Sequence, residues 1–125
     1  MNVRNAKRAY SKVKNAAISN AEKNHTTVGV ALRKLKSSMH IMVHTQDDKI
    51  FKKSWQNALY SIYFLQKSLD FDKGGELADN LFRLYEFCKL TVQDVVISRQ
   101  PEKSNLEVCT NYIENIIVSW EKIYS

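Results

Sequence analysis

The stretch Leu69-Asp70-Phe71-Asp72-Lys73-Gly74-Gly75-Glu76-Leu77-Ala78-Asp79-Asn80-Leu81-Phe82-Arg83-Leu84-Tyr85-Glu86-Phe87 reads as a turn running into a helix. Glycine reaches positive φ without a Cβ clash, so Gly74-Gly75 lets the chain reverse. Asp70 and Asp72 flank that turn, and an aspartate carboxylate can accept the free amides that open a helix. Beyond the turn, Leu77, Leu81, Leu84, Cys88, Thr91 and Val95 follow at steps of four and three. Those steps put all six side chains on one stripe of an α-helix.

Three further segments repeat the pattern. Upstream, Phe51, Trp55, Ala58, Ile62, Leu65 and Leu69 form one stripe, and Ala21, His25, Val28, Leu32, Leu35, Met39 and Met42 form another. Downstream, Leu106, Cys109, Ile113, Ile116, Trp120 and Ile123 form the last. Four amphipathic helices joined by short breaks predict an all-α, antiparallel four-helix bundle. Residues 1–18 carry Ala6, Tyr10, Val13 and Ala17 between polar and basic residues, which predicts a short additional N-terminal helix, mobile or packed on the bundle. Ser19-Asn20-Ala21-Glu22 and Ser104-Asn105-Leu106-Glu107 both fit a capping box. Thr45, Asp47 and Asp48 offer an N-cap before Phe51. Pro101 marks a change of chain direction.

Composition agrees. The chain has 125 residues, 44% hydrophobic and 26% charged, with one Pro and three Gly. That length suits a single domain over 1–125 with one core. So few breakers favour long helices over a turn-rich β fold. No apolar run reaches the roughly 18–20 residues of a membrane span. Basic residues at the N-terminus are followed by no apolar segment, which argues against a secretory signal. Cys88 and Cys109 sit within apolar stripes; buried reduced thiols are the simplest reading and suit the cytosol, and a disulfide is the other.

The net charge of +6 is unevenly spread. Residues 1–40 hold nine Lys/Arg against one acid, and residues 41–125 hold ten against twelve. A basic third of this kind is either a solvated helix face or an attraction for nucleic acid, an anionic membrane or an acidic partner. The basic residues are not interleaved with a nucleic-acid reader motif, and most aromatics lie elsewhere. A small basic helical nucleic-acid-binding or protein-interaction domain is therefore the alternative reading, and no nucleic acid is the expectation.

Chemistry is sparse. His40 and His44 are four apart, a spacing that can seat a metal, but no third ligand stands nearby in the sequence and the zincin glutamate is missing. His25 falls in a stripe near the start of its helix, as a hydrogen-bonded core or boundary histidine would. Gly74-Gly75 follows no strand and lacks the phosphate-binding glycine pattern. No Ser or Cys has a recognisable base and orienting partner. The expectation is no catalytic residue, no metal and no cofactor.

Apolar surface, by contrast, exceeds one stripe per helix. Leu59, Tyr60, Tyr63 and Phe64 supplement the second stripe, and Phe82, Tyr85, Phe87, Val92 and Val96 the third. Val108, Tyr112 and Ile117 supplement the last. Burying one such side chain contributes about 1.5–3 kcal/mol, so something should cover them. Either residues 1–18 and a broad core face do so, or a groove receives amphipathic helices of another protein.

The Leu69–Leu81 sequence, followed by Leu84-Tyr85 and Phe87, resembles the signature of the flagellar secretion chaperone family, FliS. That family places a Leu, an acid, an aromatic and a Lys-Gly-Gly-Glu turn before a helix with Asn-Leu and then Leu-Tyr. Ala9-Tyr10 and Val13 resemble its N-terminal Tyr segment, Ala31-Leu32-Arg33 its Ala-Leu-Arg, and Trp120 its late tryptophan. The polar run Lys23 to Val30 departs from the apolar stretch usual there.

The resemblance implies a cytoplasmic, non-enzymatic export chaperone, a monomer or weak homodimer without membrane insertion. Its implied partners are the disordered C-terminal segment of flagellin and a flagellar export-gate protein of the type III apparatus. Covering the amphipathic segment would prevent premature polymerisation and keep it export-competent. The expected partner-binding residues are Tyr10, Val13, Leu59, Tyr63, Phe82, Tyr85 and Val92. Tyr10 matches the position implied in gate docking. On this reading an Asp at Tyr63 or Tyr85 weakens binding more than it unfolds the bundle.

Overall fold

A computed structural model describes residues 3–13, 25–98 and 103–124. They form five helices: α1 (Val3–Val13), α2 (His25–His44), α3 (Asp48–Lys67), α4 (Phe71–Ser98) and α5 (Lys103–Tyr124). In the bundle, α2 packs on α3 and α5, and α4 packs on α3 and α5. The fifth helix, α1, lies mainly against α4.

The stripes read from the sequence form the interior. Val28, Leu32, Leu35, Met39 and Met42 of α2 are buried. So are Phe51, Ala58, Ile62 and Leu65 of α3, and Leu81, Leu84, Cys88, Thr91 and Val95 of α4. On α5, Leu106, Cys109, Ile113, Ile116 and Trp120 are buried, and one apolar cluster includes side chains of all five helices. Trp55 and Leu77 are half-buried against it. Strand-like alternation never competes, because the three-four spacing leaves no two-residue period to bury.

Long-range pairs fix the directions. Arg33 Nη2 lies 3.1 Å from Glu121 Oε1, and Lys36 pairs with Glu114. As α2 rises from 33 to 36, α5 falls from 121 to 114, so the two run antiparallel. Gln66 Nε2 donates to Glu86 Oε2 at 2.9 Å, tying the end of α3 to α4 across their connection.

Local chemistry sets the boundaries. Asp47 caps α3, its Oδ1 accepting from the amides of Lys49 at 2.9 Å and Ile50 at 3.0 Å. Asp70 caps the start of α4, its Oδ1 accepting from the amide of Lys73 at 2.9 Å. The glycine turn takes the form of a kink inside α4: Gly75 has φ 50 and ψ −124, with helical residues on both sides. α5 already runs at Lys103, so Ser104 lies inside the helix instead of at its cap. The Ser19–Glu22 capping box, Ala17, Ala21 and Pro101 lie outside the described residues.

Candidate functional site

The outer faces of α3 and α4 carry large rings that the core does not need. On α3, Tyr60 is 73% and Tyr63 65% exposed. Their positions follow from the helix: Leu59, Ile62 and Leu65 turn inward or sideways, which leaves 60 and 63 outward. Lys67 Nζ stands 5.9 Å from the centre of the Tyr63 ring, one turn along, in cation–π contact. On α4, Phe71 and Phe82 are both exposed, with ring centroids 6.2 Å apart and planes 58° inclined. Together with Asp79 and Arg83 they line a cavity of about 350 Å³.

The Gln66–Glu86 bond lies between these features. Tyr63 precedes Gln66 on α3, and Phe82 precedes Glu86 on antiparallel α4. At 1.5 Å rise per residue, Tyr63 and Phe82 are therefore about 10 Å apart along the bundle axis. The α3–α4 face thus offers two aromatic stations instead of one pocket.

A second cluster joins α1 to the bundle. The Tyr10 ring stacks on Tyr112 of α5, centroids 4.3 Å apart and planes 12° from parallel. Asn115 Nδ2 donates to Tyr10 Oη at 2.6 Å. Ala6 and Ala9 are buried beneath α1, and their small side chains let α1 lie close to α4. Burial, and then the neighbouring Cys109 and Tyr10, push the Tyr112 phenol above its ordinary value.

Of the residues expected to bind a partner, Tyr63 and Phe82 are exposed and Leu59 is half-buried at the edge of the core. Tyr10 is half-buried and engaged with Tyr112. Val13 ends α1, and its side chain lies outside the described residues. Tyr85 and Val92 correct the expectation: both are wholly buried. α4 has neighbours on three sides, α1, α3 and α5, so its second apolar stripe faces inward as the first does. Neither ring nor methyl of these two presents a surface in this arrangement.

Sequence reasoning left Tyr60, Phe71, Tyr112 and Asn115 out of the binding set. Tyr60 and Tyr112 stand among the surplus apolar positions, and helical phase alone would have turned Tyr60 outward. Phe71 was hidden in the turn, and the Tyr10–Tyr112 contact spans most of the chain.

Elsewhere the sites are plain. His40 and His44 have ring centroids 4.4 Å apart and share a cavity of about 210 Å³ with Val43, Glu107, Thr110 and Asn111. Among the described residues no group of three or more His, Cys, Asp or Glu is placed to hold a metal ion. Arg33, Lys36, Ser37, His40, Glu114, Ile117 and Glu121 line a groove of about 490 Å³ between α2 and α5. Its two ion pairs tie basic residues of α2 to acids of α5, so part of the N-terminal positive charge is already matched.

Cys88 and Cys109 are buried free thiols. The hydrogen bond between them, with burial, raises the Cys88 thiol well above its ordinary value, as suits an inert core thiol. No described helix is long and apolar enough to cross a membrane.

A family model, FliS (flagellar protein FliS), matches residues 4–125. No curated protein matches the chain.

Proposed function

The chain belongs to the flagellar protein FliS family of export chaperones, and from that premise we propose that it binds the C-terminal segment of flagellin and presents it to the type III export apparatus. The observation that carries this reading is the exposed aromatic face of Tyr60, Tyr63, Phe71 and Phe82 on α3 and α4. Four large rings left in water by a well-filled core suit a surface completed by a partner. Tyr and Phe supply apolar area with little side-chain entropy to lose.

Flagellin's C-terminal segment is an amphipathic chain that polymerises when free. Laying its apolar side on α3 and α4 hides the groups that drive polymerisation. Because the segment orders as it binds, it wraps a wide surface at modest affinity, and release at the gate is easy. Leu59, Tyr63 and Phe82 serve as contact residues on this face. Tyr10 serves in gate docking, and its engagement with Tyr112 makes that docking depend on α1 leaving the bundle.

Light scattering from polymerising flagellin tests the proposal. An equimolar amount of this protein is expected to suppress filament growth, and Tyr63→Asp to restore much of it. Unchanged polymerisation with the wild-type protein would overturn it.

A further inference from the structure

We propose that Phe71 and Phe82 form a docking notch for one large apolar anchor on an amphipathic helix of the client, and that the Gly75 kink exists to build it. The inference rests on the chaperone reading above and specifies where, and with what chemistry, the client is held.

The geometry begins with spacing. Phe71 and Phe82 are eleven residues apart, which is close to three full turns, so a straight helix would put both on one face about 16 Å apart. Their ring centroids are 6.2 Å apart. The kink makes the difference. Gly75 has φ 50 and ψ −124, outside the small left-handed region open to residues with a Cβ. The turn Phe71–Gly74, capped by Asp70, is swung back so that the first ring meets the second. No atom lies within 4 Å of where a Gly75 Cβ would be, so the glycine answers to backbone conformation alone.

The notch holds about 350 Å³, at the small end of ligand pockets, which suits one side chain or one helical turn and not a whole helix. Its apolar walls are the two rings, both partly exposed. Its rim carries Asp79 and Arg83, one turn apart on α4. An Asp four residues before an Arg is well ordered for an ion pair, yet among the described residues neither forms one. Both charges therefore remain free to meet a partner. The complementary occupant is a helix whose apolar anchor has a basic residue on the Asp79 side and an acidic residue about one turn away on the Arg83 side. Opposite charges at the two rims also fix the direction in which that helix lies.

The test uses a synthetic peptide covering the C-terminal segment of the flagellin encoded in the same genome, with binding followed by calorimetry and folding by far-ultraviolet circular dichroism. Phe82→Ala, at a partly exposed position, is expected to keep the helical spectrum and weaken binding tenfold or more. Gly75→Ala is expected to weaken it comparably, because the first turn can no longer swing back. The double variant Asp79→Arg, Arg83→Asp is expected to weaken binding, and reversing the two matching charges of the peptide to restore it. Wild-type binding that survives Phe82→Ala within twofold overturns the notch and leaves the chaperone reading standing. A peptide that fails to bind the wild-type protein overturns that reading and this occupant together.

Discussion

The rings of Tyr10 and Tyr112 lie face to face, 4.3 Å between centroids, and Asn115 donates a hydrogen bond to the Tyr10 hydroxyl. This contact ties α1 to α5, and the buried apolar residues described on α1 are Ala6 and Ala9. Alanine buries little area, so Tyr10 is the largest of the described α1 side chains that pack on the bundle.

Tyr10→Ala should therefore release α1 without melting the bundle. A stacked pair contributes about 0.5–1.5 kcal/mol beyond its buried area, and the hydrogen bond a similar amount. Amide exchange over residues 3–13 should accelerate by roughly tenfold or more, while exchange in α3 stays unchanged. Tyr10→Phe, which keeps the stack, should fall between. Equal acceleration in every helix would mean that α1 is an integral part of the core.

Tyr85 and Tyr63 are expected to respond in opposite ways to the same change. Tyr85→Asp places a carboxylate where a wholly buried ring stood, a desolvation that exceeds what a marginally stable domain of this size can absorb. The variant should be largely unfolded by circular dichroism. Tyr63→Asp, on a side chain 65% exposed, should leave the urea midpoint nearly unmoved. A folded Tyr85→Asp protein would show that α1 or α4 readily moves aside.

These two tyrosines also show what the sequence could and could not carry. Periodicity identified the primary stripes correctly, because Leu32, Ile62, Leu84 and Ile113 obey helical phase whatever surrounds them. It could not rank the surplus positions. Whether Tyr85 faces core or solvent depends on how many helices surround α4, a property of the assembled bundle. The family signature pointed to the turn at Gly75 but not to its consequence. A break in helical phase conceals that Phe71 and Phe82 meet. Tyr10 and Tyr112 are about a hundred residues apart in the chain, beyond the reach of any local pattern.

Gly29 is a close-approach glycine in α2. A Cβ there would lie 2.9 Å from Trp120 Nε1 of α5. Alanine gains about 1 kcal/mol of helix propensity over glycine, but overpacking against a buried indole costs about 1–3 kcal/mol. Gly29→Ala should therefore lower stability, read as a fall in urea midpoint with little change in slope. A rise in midpoint would show that the indole shifts freely.

Glu86 gives the bundle an acid-sensitive element. Burial disfavours its charge, but the hydrogen bonds from Gln66 and Lys89, with the Lys89 charge, outweigh burial and hold the carboxyl below its ordinary value of 4.5. A carboxyl lowered in the folded state adds stability that is present above its unfolded value and is lost as pH falls through the folded one. The stability difference between wild type and Glu86→Gln should be constant at neutral pH and shrink below about 4.5. A difference that grows on acidification would reverse the assignment.

In the proposed function, the aromatic face of α3 and α4 receives a flagellin segment that folds as it binds. Titration calorimetry of this protein with the flagellin C-terminal peptide, repeated at several temperatures, is the decisive measurement. Saturable one-to-one binding is expected, with a negative heat-capacity change, a gain of peptide helicity, and loss of affinity in Tyr63→Asp with the bundle intact. Absence of binding, or binding untouched by every substitution on the α3–α4 face, would contradict it.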